Sequence, residues 1–360
     1  MNDSDRRILM WLMERGPSGA QRILRGTKLA SSTLYRRAAK LEAQGLLRRR
    51  DSIFELLPAA EVALRAEREP PPPWPTLPIP HLGLAPSRVH AATLSLIALA
   101  AVARRHRLRD EHHPAFLILG QALRWKSWLA KVAIYMLGGD PARQLVQANA
   151  ESGRSILVRS DGRGGRSSER EVLSEPVLAI DEFSRASREV RRLVEVLLSG
   201  RLEVPWENER LLLAAVPIVV SNPFKPSGTL EDRAGLDSAM LRRSIVLDAD
   251  QAEIPAELLT QGAQRLERAK RLEAIELPPP KHPDWDPTPR IAAILRDCLR
   301  SSDLLPRVDA VLLATLATAA TAWLPRESAL TCALGNYLTV VARLDWLRPD
   351  WEERLPRASR

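Results

Sequence analysis

The chain has 360 residues, 45% hydrophobic and 27% charged, which excludes a disordered polypeptide and leaves room for two or three domains. Aromatics are 4%, so cores must be built mainly from Leu, Ala, Val and Ile, and the formal charge is +9. Two cysteines, Cys298 and Cys332, exclude a disulfide scaffold and a cysteine-built zinc site. The apolar run 91–103 is too short to cross a bilayer, and the run 308–324 is rich in Ala and Thr and carries Asp309, so no membrane partner is expected. Asp3 and Asp5 beside Arg6 and Arg7 argue against a signal peptide, and the expected location is cytoplasmic.

The charge is concentrated. Residues 1–50 hold twelve Lys/Arg against four Asp/Glu, a net +8. A compact basic segment joined to a near-neutral remainder points to a polyanion partner. Two proline-rich stretches, Pro70 to Pro80 and Pro278 to Pro289, cannot be helical and read as extended tethers. The expected organisation is a domain over 1–66, a linker over 67–87, a core over 88–275, a second linker over 276–290 and a helical unit over 291–350.

In the first unit, Ile8, Leu9, Leu12 and Met13 share one helical face, and Gly16-Pro17-Ser18-Gly19 ends that helix. A short helix from Ala20 leads to Ser31-Ser32, an N-cap signal for a third helix that buries Leu34, Ala38 and Leu41. Gly45 stops it, and Leu46 to Leu56 reads as a hairpin turning at Asp51-Ser52. Three helices followed by a hairpin resemble a bacterial winged helix-turn-helix domain. That resemblance implies double-stranded DNA as partner: Thr33, Tyr35, Arg36, Arg37 and Lys40 on the third helix, and Arg48, Arg49 and Arg50 along the wing. Use of such a domain for protein contacts alone is the competing reading.

In the second unit, the buried strand His113 to Leu119 runs directly into Gly120-Gln-Ala-Leu-Arg-Trp125-Lys126-Ser127 and then a helix. Strand, loop, Lys-Ser and helix is the context of a phosphate-binding loop, in which Lys126 meets phosphate oxygens and Ser127 ligates Mg²⁺. Trp125 stands where such loops carry glycine, which puts the loop geometry and hydrolysis in question. Lysine is scarce, seven in the chain, so a Lys-Ser pair at this spacing is informative. Val177 to Ile180 is an apolar strand ending in Asp181-Glu182, a metal-holding and a water-polarising carboxylate in sequence. Val216 to Ser221 is another strand, ending at Asn222, an amide placed to orient that water.

The order of these elements, with a hairpin after the stretch Glu189 to Pro205 that leads into the Asn222 strand, resembles the AAA+ ATPases of the branch that holds MCM helicases and MoxR-type proteins. The resemblance covers about 110–250 and implies an α/β P-loop core with a parallel sheet, ATP and Mg²⁺ as cofactors, and assembly as a ring, most simply a hexamer. It assigns Gly120, Trp125, Lys126, Ser127 and Asp181 to nucleotide and metal, and Glu182 and Asn222 to catalysis. Arg243 is implied as a finger acting on a neighbour's nucleotide, the stretch 151–166 as the branch's insertion, and Arg307 as a sensor at the start of an all-α lid. The hairpin tip, Trp206-Glu-Asn-Glu-Arg210, is net acidic, unlike a hairpin that grips DNA. The function expected is a DNA-binding ATPase that remodels DNA or a DNA-bound complex, as in replication initiation or helicase loading. The alternatives are a hydrolysis-deficient scaffold or transcriptional regulator, and a MoxR-like chaperone with a protein client.

Overall fold

The computed structural model describes residues 3–57, 60, 72–109, 112–121, 125–150, 156, 175–201, 203–206, 209–251, 261–301, 304, 308–341 and 346–356. Two compact units result: Met1–Pro71 with Ile254–Gln264, and Pro72–Glu253 with Arg265–Arg360.

The first unit holds α1 (Asp3–Arg15), β1 (Ser18–Gly19), α2 (Ala20–Thr27), α3 (Ser31–Ala43), β2 (Leu47–Arg50) and β3 (Ile53–Leu56). Ile8, Leu9, Leu12 and Met13 of α1 are buried with Ile23, Leu34, Ala38 and Leu41, as the helical spacing predicts. The N-cap of α3 is Ala30, without a side-chain cap, so Ser31-Ser32 begin the helix rather than precede it. β2 and β3 pair antiparallel with Arg48 opposite Glu55. Asp51 and Ser52 both have positive φ, 46° and 67°, the twist that a tight two-residue hairpin turn requires. β1 adds to the far side of β3, giving a three-stranded sheet in the order β1-β3-β2.

The second unit is built on five parallel strands: β4 (Ala115–Leu119), β5 (Leu145–Gln147), β6 (Val177–Asp181), β9 (Val216–Ser221) and β10 (Ser244–Asp248). Their spatial order is β10-β4-β9-β6-β5. Every residue of β4, β6, β9 and β10 is buried, which explains their near-continuous Val/Ile/Leu runs. One face carries α7 (Arg188–Leu197), whose Val190, Leu193, Val194 and Leu197 pack with Leu117, Leu119, Leu178, Ile180 and Val246. Helices α4 (Arg88–Arg105) and α5 (Lys126–Met136) pack on each other, and α5 packs on β6, on β9 and on the short α6 (Pro141–Gln144). The hairpin of β7 (Glu203–Trp206) and β8 (Glu209–Leu212) forms its own two-stranded sheet, with Trp206 opposite Glu209. Short helices α8 (Leu230–Ala234) and α9 (Ser238–Arg243) lead from β9 to β10.

Toward the C-terminus come α10 (Thr288–Cys298), α11 (Ala310–Ala320) and α12 (Arg326–Val341). The sequence divides 88–275 from 291–350, but α4 of the former packs against α11 and α12 of the latter, and α12 also meets β10. All belong to the same compact unit. This sandwiching buries almost every residue of α4 and explains why it is apolar all round. Cys298 and Cys332 are buried free thiols in these helices, pushed up to about 11 and about 12 by burial. Among the described residues, no helix is long and apolar enough to cross a membrane.

Candidate functional site at the carboxyl edge of the parallel sheet

From β4 the chain crosses to β5, at the far edge beyond β9 and β6, whereas from β9 it crosses the other way, past β4 to β10. Adjacent strands whose connections leave in opposite directions open a crevice at their carboxyl ends, and ligands of open α/β sheets bind there. Gly120 follows β4 and Asn222 follows β9, so both edges of this crevice are made by residues singled out from the sequence.

Lys126 is the first residue of α5, and its ammonium is buried in the crevice. Nζ donates to the carbonyls of Gly120 and Gln121 and, over 3.1 Å, to Asn222 Oδ1. Burial holds the Lys126 ammonium below the usual lysine range, against the opposing pull of Asp250 and Asp181. The amides of the first turn of α5 add donors that favour an anion at the same place.

Trp125 caps this helix with φ 60° and ψ 15°, the left-handed conformation that glycine adopts without cost. A bulky residue there costs about 1–2 kcal/mol. Its indole is buried edge-on against Trp128, with ring centroids 4.8 Å apart, and this packing offsets the cost. At this position the backbone therefore has the handedness of a glycine. Gly120 is pinned by close approach: a Cβ there would lie 3.0 Å from the Ala249 Cβ and 3.3 Å from Asp250 Oδ1.

Ser127 Oγ donates to Asp181 Oδ2 across 2.6 Å, joining the start of α5 to the end of β6. Asp181 is buried, and its Oδ1 accepts the Glu182 amide at 2.8 Å. A hydroxyl and a carboxylate in contact at this crevice are the kind of oxygen donors Mg²⁺ takes while keeping several waters. Glu182 is only half-buried, at φ 57°, and its Oε2 accepts a 2.5 Å bond from Asn149 Nδ2. Lys126, Ser127, Asp181, Glu182 and Asn222 thus meet at one edge of the sheet.

Asn149 escapes a reading of the sequence because a lone Asn after a three-residue strand has no pattern to mark it. Asp250 escapes for the same reason: its Oδ1 accepts the Gln121 amide at 2.7 Å, which only the pairing of β10 with β4 reveals.

Arg243 lies elsewhere. It immediately precedes Ser244, which pairs with Ala115 at the amino end of β4, about 13 Å of strand away from the crevice. There it lines a cavity of about 300 Å³ with His112, Ala239, Arg242 and Asp309. His112 Nδ1 is 2.7 Å from Asp309 Oδ2, and His113 is buried, lowered to about 3 by burial and by Arg104. Arg243 does not join the crevice of its own chain. Arg307, the stretch 151–155, 157–174 and the hairpin tip Glu207-Asn208 lie outside the described residues.

In the first unit, Tyr35, Arg36 and Lys40 are exposed on α3, while Arg37 leans to 3.9 Å from the buried carboxylate of Asp5. Arg48 is paired with Glu55 at 2.8 Å, so its charge is partly neutralised within the hairpin. Arg49 stacks over Tyr35 and Phe54, at 5.2 and 5.6 Å from their ring centres, and Arg50 is exposed beside it. No family model matches this chain, and no curated protein matches it.

Proposed function

We propose that the chain is a DNA-binding AAA+ ATPase, in which the crevice binds and hydrolyses ATP with Mg²⁺ and a winged helix in the first unit holds duplex DNA. The observation that carries this reading is the meeting of Lys126, Ser127, Asp181, Glu182 and Asn222 at the switch point between β4 and β9. A lysine, a hydroxyl-carboxylate pair and a second carboxylate are the parts phosphoryl transfer needs, since its catalysis is chiefly positioning and electrostatics.

On this reading Lys126 exchanges the loop carbonyls for phosphate oxygens when ATP enters. Ser127 and Asp181 would hold Mg²⁺, which when bound neutralises charge on the phosphates. Glu182, released by Asn149, orients and polarises the attacking water, and Asn222 helps place it. Arg243, remote from its own crevice, suits a role on the nucleotide of a neighbouring subunit, which calls for a ring. Calorimetric titration of ATP with and without Mg²⁺ tests the metal assignment. Chelation should weaken binding to the wild type, and Asp181→Ala should bind ATP equally well with or without Mg²⁺. A variant that keeps the full Mg²⁺ dependence contradicts the assignment.

For the first unit, the exposed cations of α3 and the hairpin support DNA contact through phosphates, with Arg49 pre-oriented by Tyr35. Each neutralised phosphate contributes about −0.9 to the slope of log K against log salt. Replacing Arg36 and Lys40 together by alanine should therefore make that slope shallower by about 2. A duplex titration across salt concentrations reads this directly, and an unchanged slope would point to a protein partner instead.

A further inference from the structure

The groups assigned to nucleotide leave the sheet on loops from three strands, and core packing does not hold all of them: Lys126 and Asp181 are buried, but Asn222 is exposed and Glu182 half-buried. A connected set of contacts outside the reacting groups ties these loops together. Phe183, the residue after Glu182, is buried, and its ring meets Phe224, two residues after Asn222, edge-on at 5.8 Å. Arg191 of α7 lies over Phe224 at 4.6 Å from the ring centre and donates to the carbonyls of Ala186 and Ser184.

On its other side, Phe224 is fixed to α8. Its amide donates to the Arg233 carbonyl at 2.9 Å. The helix ends at Gly235 in the left-handed conformation, φ 64°, where a Cβ would lie 2.8 Å from the phenyl ring. The Arg233 guanidinium in turn grips Asp248, with a second contact of 3.2 Å, and Asp250 at 3.3 Å. These bonds raise the Arg233 pKa, the Asp248 hydrogen bond most. Asp250 closes the chain by accepting the Gln121 amide in the loop before Lys126.

We propose that Phe224 and Arg233 are positioning residues that brace the loop before Lys126 against the loop carrying Glu182. This rests on the nucleotide reading above. The brace touches no atom assigned to substrate or metal. Its effect is on the relative placement of Lys126 and Glu182, and reaction rates respond steeply to displacements on the scale of 1 Å. Binding of ATP uses Lys126, the α5 amides and the Ser127–Asp181 pair, which is held together by its own hydrogen bond, and does not need the Glu182 side chain in register. The brace therefore acts on turnover rather than affinity.

The experiment uses the full chain and reads kcat and ATP affinity separately. Phe224→Leu removes the edge-on contact and the surface under Arg191, and should lower kcat about tenfold. Its ATP affinity should stay within about twofold of wild type. Phe224→Tyr keeps the ring and should restore kcat. Arg191→Lys keeps the charge but loses the planar stack, and it carries the same test should Phe224→Leu melt below the assay temperature. Phe224→Leu and Arg233→Lys together should cost less than the product of their separate effects, because both act through one contact chain. Wild-type turnover with unchanged kcat in Phe224→Leu and Arg191→Lys overturns the brace alone, as does a loss confined to affinity. A wild type without turnover overturns the nucleotide reading and the brace with it.

Discussion

Lys126→Ala is expected to weaken ATP binding by about 100-fold, equivalent to about 2.7 kcal/mol. Lys126 is the cation buried at the switch point, and in water-poor surroundings a charge-assisted bond to phosphate is worth more than at the surface. Alanine removes that bond and leaves the carbonyls of Gly120 and Gln121 and the amide of Asn222 without the ammonium they share. The pH dependence has a definite sign. Lys126 is charged below its pKa and neutral above it, and burial lowers that pKa. The affinity it supplies is therefore lost, as pH rises, at a lower pH than for a solvent-exposed lysine. Wild type and Lys126→Ala should converge as pH rises. Calorimetric titration over a pH series checks both statements, and equal affinities at neutral pH would show that the crevice does not use this lysine for phosphate.

Glu182→Gln is expected to cut ATP turnover by about 10²–10⁴-fold while ATP stays bound. The amide keeps the size of the side chain and loses the carboxylate proposed to polarise water. Asp181 and Ser127 remain in contact, so the pair proposed to hold Mg²⁺ is left intact. Steady-state hydrolysis beside a nucleotide titration separates the two effects. A variant that hydrolyses at the wild-type rate would remove Glu182 from the chemistry.

Much of the crevice is legible in the sequence because buried parallel strands read as apolar runs, and a glycine or polar residues mark where they end. Leu119-Gly120, Ile180-Asp181-Glu182 and Ser221-Asn222 are three such endings, and the structure gathers them. The order β10-β4-β9-β6-β5 is not written in any one strand; it depends on which crossover goes which way. Whatever that order creates is correspondingly hidden, as with Asp250 beside Gln121 and Asn149 beside Glu182. The hairpin of the first unit gives a similar case. Arg48, Arg49 and Arg50 look equivalent in sequence, and only the register of β2 on β3 places Glu55 opposite the first and Phe54 opposite the second. Trp125 is conspicuous in the sequence as a replaced glycine, but its left-handed backbone and its packing on Trp128 are visible only in the folded loop. The helix α4 misleads for another reason: its apolar run precedes β4 in the chain, yet its neighbours α11 and α12 come some 200 residues later.

Hydrolysis of ATP by the purified full chain, measured with and without duplex DNA and with Lys126→Ala as the blank, decides whether the crevice is an ATPase site. Mg²⁺-dependent turnover above the blank, increased by duplex, is expected. Turnover no higher than that of Lys126→Ala, with DNA present or absent, would contradict the ATPase reading.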